Sequence, residues 1–226
     1  AWGNLARKLA HEIKNPLTPL QLTIDRIKNK YSTQLDSDNS KKLKENLKII
    51  NNQIKQIEKL VNEFSDFARM PKPIFRKNNL VEIINDNIEL LKELDNTIDI
   101  IFNKSSNQIL LNSDREQLSR VFLNLIKNSI ESINQKAQND NNINKKITIE
   151  LNENDNHISA IIEDNGIGFT IEKANIKEIL NPYFTTKKNG TGLGLSIVNK
   201  IINDHNGKID FIPIKNGAKI NIIFLK

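Results

Sequence analysis

His11 is one of three histidines in this 226-residue chain, and it stands in "LAHEIKNPLTPLQL" (residues 9–22) with a carboxylate beside it. An imidazole whose Nδ1–H is held by an acceptor keeps the Nε2 lone pair free to attack an electrophile. Glu12 adjoins His11, and Asn15 lies one turn further on. Pro16 and Pro19 each cancel a helical hydrogen bond and are expected to loosen or kink the backbone just beyond. At about 100° per residue, Leu5, Leu9, Ile13, Leu17, Leu20, Ile24, Ile27 and Tyr31 gather on one side of the helix. His11, Asn15 and Thr18 project roughly opposite, so the imidazole is expected in solvent.

The second half carries groups suited to a nucleotide. Asn124 and Asn128 in "NLIKNSIES" are four apart on one helical face, and their carbonyl oxygens suit a magnesium ion that keeps water and phosphate partners. "EDNGIGF" follows a strand-like run and supplies Asp164, Gly166 and Gly168. A carboxylate at a strand end can accept from an exocyclic amine, and glycine lets a ring approach the backbone. "NGTGLGLSIV" puts Gly190, Gly192 and Gly194 directly before an apolar helix expected to start near Leu195. Such a loop presents N–H groups to phosphate. Between the glycine clusters lie about twenty residues, with Lys187 and Lys188 able to reach phosphate oxygens, and this stretch reads as a mobile lid.

The elements that must position these groups fall into two kinds. Leu43, Leu47, Ile50, Ile54, Ile57, Val61, Phe64 and Ala68 alternate steps of four and three, a heptad seam. The polar stretch "STQLDSDNS" separates it from the first helix, which predicts an antiparallel hairpin. Two apolar seams on one hairpin need a second copy to cover them, giving a dimeric four-helix bundle. "RMPKPIF" ends the second helix. Beyond it, "QILLNSD", "KKITIELN", "HISAIIED", "GKIDFIPI" and "AKINIIFLK" read as strands, giving an α+β sandwich with helices on one face. The helix through "REQLSRVFLNLIKNSIESINQK" is expected to start near Ser113 or Asp114, with Ser113 and Glu116 as a candidate capping box. "NQKAQNDNNINKK" reads as a polar loop.

With 38% hydrophobic and 27% charged residues the composition is that of a globular protein, with two domains expected. The net charge of +6 is scattered among acidic residues without an aromatic–basic stripe, which argues against nucleic acid as partner. No apolar run long enough to span a membrane and no signal-peptide pattern is visible, and the abrupt start "AWGNLARKLA" reads as an excerpt. Without cysteine there is no disulfide framework, thiolate metal site or thiol nucleophile.

"HEIKNPLTP", "NLIKNSIES", "DNGIG", "PYFTTK" and "GTGLGL", in this order, resemble the phospho-acceptor, N, first glycine, F and second glycine boxes of bacterial two-component sensor histidine kinases. The likeness covers nearly the whole chain. "AHEIKNPLTPLQLTIDRIKNKY" with "EFSDFARMPKP" is similar in particular to the NtrY-type nitrogen-regulation sensor kinases. The resemblance implies a dimerisation and histidine-phosphotransfer hairpin over residues 1–70 and a Bergerat-type α/β ATP-binding domain over residues 71–226. It implies ATP and Mg2+ as cofactors, His11 as phosphoryl acceptor and Glu12 as its general base. Asn15 would position water for a second, regulator-phosphatase activity. Asn128 would hold the metal with help from Asn124, and Asp164, Gly166 and Gly168 would receive adenine. Thr186, Lys187, Gly190, Thr191, Gly192, Leu193 and Gly194 would line the phosphates and lid.

Implied partners are a second copy of the chain and the receiver domain of an NtrX-type response regulator, with no nucleic acid. The membrane would be met through parts outside these residues, this being the cytoplasmic portion of an inner-membrane-anchored sensor. Ser129 stands where alanine is usual, Glu131 where many such kinases have lysine, and the last glycine-containing strand motif is thin. His157 and His205 match no box and read as surface or strand residues. Two other readings compete: a Bergerat-fold ATPase, disfavoured because Asn124 replaces the glutamate that activates water there, and a catalytically silent dimeric scaffold.

Overall fold

The computed structural model describes residues 2–32, 34–68, 70–140, 142–169, 178–182, 184–186 and 190–226. They fall into two compact units. One runs to Pro71 and includes residues 190–193; the other comprises Lys72–Thr186 and Gly194–Lys226.

The first unit is a helical hairpin of α1 (Trp2–Tyr31) and α2 (Ser37–Ala68). Leu17, Ile24, Leu47 and Ile54 form its core, with Ile27 and Leu43 packed against them. Ala10, Leu17 and Ile24 on α1 and Leu47, Ile54 and Val61 on α2 are buried at steps of seven, the seam expected of a heptad. The alternate seam residues Leu9, Ile13, Leu20, Ile50 and Ile57 stay between 41% and 51% exposed. Only one of the two apolar stripes on each helix is therefore used inside the hairpin. The loop is shorter than the polar stretch suggested, because Asp36 caps α2: its carboxylate accepts from the Asn39 N–H at 2.9 Å, and the Ser40 hydroxyl donates to the Ser32 carbonyl at 2.7 Å. Neither Pro16 nor Pro19 ends α1, which continues through both.

The second unit opens with β1 (Arg76–Asn79), α3 (Leu80–Leu94), β2 (Asp99–Lys104), β3 (Leu110–Ser113) and α4 (Arg115–Ala137). It continues with β4 (Lys146–Glu153), β5 (His157–Asp164), α5 (Gly194–Asp204), β6 (Gly207–Ile214) and β7 (Gly217–Leu225). The main sheet has the order β2-β4-β5-β7-β6, and β1 pairs with β3 in a separate ribbon. Four of its five strands were expected; β2, a parallel partner of β4, was not. Its exposed ends and mixed interior blur the two-residue alternation that marks β4 and β5.

Ile147, Ile149 and Leu151 of β4, Ile158, Ala160 and Ile162 of β5, and Ile220, Ile222 and Phe224 of β7 are buried. They face Leu118, Val121, Phe122, Leu125 and Ile126 of α4 and Ile197, Val198, Ile201 and Ile202 of α5. Asp164 shares that face by the same alternation, so a carboxylate is carried into the core at the end of β5.

Helix starts are set by local acceptors. Asn79 caps α3, its Oδ1 accepting from Val81 N–H at 3.2 Å and Ile109 N–H at 3.1 Å. Replacing Asn79 with alanine orphans both donors, and a loss of about 1–2 kcal/mol is expected in urea unfolding of the chain. At α4 the Ser113–Glu116 box is not formed. Ser113 is buried in β3, and Asp114 is the cap, its Oδ1 accepting from Gln117 N–H at 3.0 Å. The helix also extends over the first four residues of the segment read as a polar loop, Asn134 to Ala137.

Candidate functional site

His11 lies on the exposed side of α1 with Asn15 and Thr18, as its spacing required. Glu12 is exposed and its carboxylate stands 4.0 Å from Lys8 Nζ, since sequence neighbours on a helix do not share a face. Proline at positions 16 and 19 deprives the Glu12 and Asn15 carbonyls of their i+4 helical donors just beyond His11.

In the second unit Asn124 and Asn128 are half-buried on α4. The Asn124 amide donates to the Arg120 carbonyl at 2.9 Å, which turns Oδ1 away from its own helix. That oxygen lies 3.4 Å from where a Cβ on Gly194 would stand. The N box and the first residue of α5 are thus brought together, and α5 starts at Gly194, one residue earlier than the expected Leu195.

Asp164 is 5% exposed. Its Oδ1 accepts from Gly166 N–H at 2.9 Å, and the Ser129 hydroxyl and Ala218 N–H also donate to the carboxylate. Burial nonetheless raises its pKa above the ordinary value, with those donors opposing. Were Asp164 to accept from an adenine amine, as expected from the sequence, the donor would favour the ionised form, and purine affinity would rise with pH as Asp164 ionises and level off above its raised pKa. The affinity is lost on acidification already above the usual carboxylate range. Calorimetric ATP titrations across about pH 4–7 should show this dependence in the wild type and not in Asp164→Asn. The unliganded chain behaves oppositely, since a raised carboxyl pKa makes this group's contribution to folding weaken as pH rises.

The glycines serve a purpose other than exposing backbone to a ring. A Cβ on Gly166 would come 2.7 Å from the Ser132 carbonyl carbon and 2.8 Å from the Ile133 nitrogen, so glycine lets the loop after β5 press onto α4. The Ser132 hydroxyl accepts from Ile167 N–H at 3.1 Å, and Lys136 Nζ donates to the Asn165 carbonyl at 2.8 Å. Gly168 has φ +76°, and a Cβ there would stand 2.6 Å from the Gly217 carbonyl oxygen. Gly217 itself has φ +136°, with the Asp164 carbonyl against its Cα.

Ser132, Lys136 and Gly217 are the residues sequence reasoning missed, and Ser129, noted there only as a departure from the usual alanine, donates to Asp164. Ser129, Ser132 and Lys136 share one helical face at steps of three and four, a signal that was available. His205 is corrected: it is buried directly after α5, not on the surface or in a strand.

Thr186 is exposed at the end of its segment. Gly190, Thr191, Gly192 and Leu193 group with the first unit. There Gly192 takes φ +70°, Leu193 is buried, and the Thr191 hydroxyl accepts from Leu193 N–H at 3.4 Å. Lys187, Lys188 and much of the lid lie outside the described residues. Among the described residues no group of three or more His, Cys, Asp or Glu could hold a metal ion.

Residues 1–73 match the His Kinase A phospho-acceptor domain, and residues 113–226 match the histidine kinase-, DNA gyrase B- and HSP90-like ATPase family. An NtrY-like sensor histidine kinase of Rickettsia prowazekii is 36% identical over 99% of this chain and 36% of its own length. The nitrogen regulation protein NtrY of Azorhizobium caulinodans is 35% identical over 98% of this chain and 28% of its own. The chain thus spans about a third of the length of the curated relatives it matches. Among solved structures, the histidine kinase ThkA in complex with the response regulator TrrA aligns with a TM-score of 0.68 at 28% identity, covering all of this chain and 62% of that one. The isolated ThkA catalytic domain aligns with a TM-score of 0.59 at 31% identity, over 68% of this chain and 96% of that one. A histidine exposed on a heptad hairpin and a buried aspartate beside an asparagine-bearing helix are joined in one chain with both family domains, and the chain belongs to the sensor histidine kinases, of the NtrY type.

Proposed function

We propose that the chain transfers the γ-phosphoryl group of ATP to His11 and passes it to an aspartate of a response-regulator receiver domain. The observation that carries this reading is the exposed imidazole on α1, in a chain whose other unit sets Asn124 beside Gly194 and buries Asp164 against Ser129 of the same helix α4. His11 Nε2 attacks the γ-phosphorus, the bond to the β–γ bridging oxygen breaks, and ADP leaves with that electron pair. Glu12 acts as general base and takes the Nδ1–H proton as the bond to phosphorus forms. Such transfer needs in-line placement and charge neutralisation more than covalent help.

Asp164 accepts from the adenine amine, and the N–H groups of the glycine loop at residues 190–194 hold phosphate oxygens, with Thr186 and Lys187 at the lid. Asn128, assisted by Asn124, supplies oxygen to Mg2+, which when bound neutralises phosphate charge. Asn15 positions water for removing phosphate from the regulator. The working boundaries are a phosphotransfer hairpin over residues 1–70 and an ATP-binding domain over residues 71–226. The exposed seam of Leu9, Ile13, Leu20, Ile50 and Ile57 supports a homodimer. The similarity to NtrY supports an NtrX-type regulator and a membrane-anchored sensor facing the cytoplasm. No helix among the described residues is itself long and apolar enough to cross a membrane.

Labelled chain, freed of nucleotide and mixed with candidate receiver domains, tests the reading. Label should move to a receiver and not to one whose acceptor aspartate is replaced by asparagine. ATP turnover without any phosphoprotein would favour the ATPase reading, and nucleotide binding without turnover the silent scaffold.

A further inference from the structure

Glu63 lies near the end of α2, outside the five boxes, and its carboxylate accepts from the Thr191 hydroxyl. Both residues belong to the first unit, which takes in residues 190–193 together with the hairpin, so the contact does not depend on how the two units are arranged. The division between the units falls inside "GTGLGL", between Leu193 and Gly194. Thr191 is half-buried, and the Glu63 side chain is 28% exposed.

A threonine hydroxyl has one proton to give. At Thr191 that proton goes to Glu63 Oε2, while the hydroxyl oxygen accepts from Leu193 N–H at 3.4 Å. Gly192, between them, takes φ +70°, and Leu193 is buried. The hydroxyl is thus committed on both sides. A donor given to a carboxylate cannot at the same time be given to a phosphate, and two anions approaching one hydroxyl repel each other. Lys59 Nζ stands 4.0 Å from the other oxygen of the same carboxylate. Its side chain is 53% exposed, and an ion pair so open to water does little to neutralise Glu63.

We infer that Glu63 is an internal competitor of the nucleotide's phosphates: its carboxylate holds the Thr191 hydroxyl and with it the glycine loop, and a phosphate must displace it before that hydroxyl can serve the nucleotide. The inference rests on the reading that residues 190–194 hold phosphate; the contact between Glu63 and Thr191 does not. Competition makes the affinity for ATP depend on a residue of the hairpin. The apparent affinity is the intrinsic one reduced by the fraction of molecules in which the loop is released. A charge-assisted hydrogen bond at this exposure holds the loop in roughly four molecules of five, so removing the carboxylate should tighten ATP about fivefold. Adenosine, with no phosphate, meets no competitor.

Calorimetry and amide exchange on the full chain test this. Glu63→Ala, at a helical position that alanine favours, should bind ATP about fivefold more tightly than the wild type and adenosine with unchanged affinity. Glu63→Gln keeps a neutral acceptor and should fall between the two. In a Thr191→Val background, Glu63→Ala should change ATP affinity by less than about twofold, because the competitor acts through the hydroxyl. In the chain freed of nucleotide, amide exchange from Thr191 to Leu193 should quicken about fivefold in Glu63→Ala. Unchanged exchange overturns the contact. Quickened exchange with ATP affinity unchanged or weakened, or adenosine tightened as much as ATP, overturns the competition. If neither the wild type nor any variant binds ATP, the nucleotide reading falls, and the contact is judged by exchange alone.

Discussion

His11→Gln is expected to take up no phosphoryl group above background, a loss of at least about a thousandfold, while binding ATP as the wild type does. Glutamine keeps a polar side chain of similar reach on an exposed face, so α1 and its packing are undisturbed. It offers no basic nitrogen lone pair, and an amide cannot take the place of the imidazole as nucleophile. Because His11 lies on the exposed side of the hairpin and its buried neighbours Ala10 and Leu17 are untouched, the melting of the hairpin should not change. Parallel measurement of γ-labelled incorporation and equilibrium nucleotide binding separates the acceptor from the pocket. A variant that lost both would indicate that position 11 matters to folding.

Gly217→Val should have the second largest effect, and it acts on the nucleotide unit without altering any group assigned to the ligand. The backbone at Gly217 has φ +136°, a region denied to a β-branched residue, and its Cα already sits against the end of β5. A Cβ there would meet the Asp164 carbonyl and stand 2.9 Å from the Asn165 Cα, both main-chain atoms that cannot rotate aside. The strain and overpacking together should cost about 3 kcal/mol or more. What relieves them is displacement of the loop after Asp164, which also holds Gly166 against α4. ATP affinity should therefore fall about a hundredfold, and chemical denaturation should show the second unit destabilised with the hairpin's helicity retained. Wild-type affinity in Gly217→Val would mean that Asp164 and its loop are not held from β7.

The parts of the fold that the sequence disclosed are those where one periodicity dominates. Alternating steps of four and three marked the seams of α1 and α2, of which Leu17, Ile24, Leu47, Ile54 and Val61 are buried, and β4, β5 and β7 showed as apolar strand-like runs whose buried residues alternate. The same alternation carries Asp164 into the core, so its burial follows from the strand that ends on it. β2 escaped notice because a short strand with exposed ends carries little pattern, and its parallel partner β4 is more than forty residues away. The start of α4 stayed open between Ser113 and Asp114 because both are good caps, and the capping box put on Ser113 was one residue early. The choice between them is made by β3, which buries Ser113, and by His205, which takes the Asp114 N–H. His205 could not be placed from its neighbours for the same reason: its partners are the distant Asp114 and Phe75. Gly166 was read as yielding to a ligand, whereas the pressure comes from Ser132 and Ile133 on α4, a tertiary contact that no local pattern encodes.

The account stands most directly on where phosphate from ATP comes to rest. Incubated with Mg2+ and γ-labelled ATP, the wild-type chain should acquire label that is lost in acid and kept in alkali. Cleavage after lysine should place it on the peptide Leu9–Lys14, which contains His11 and no hydroxyl side chain. Label that survives acid, or that maps to any other peptide, would contradict it.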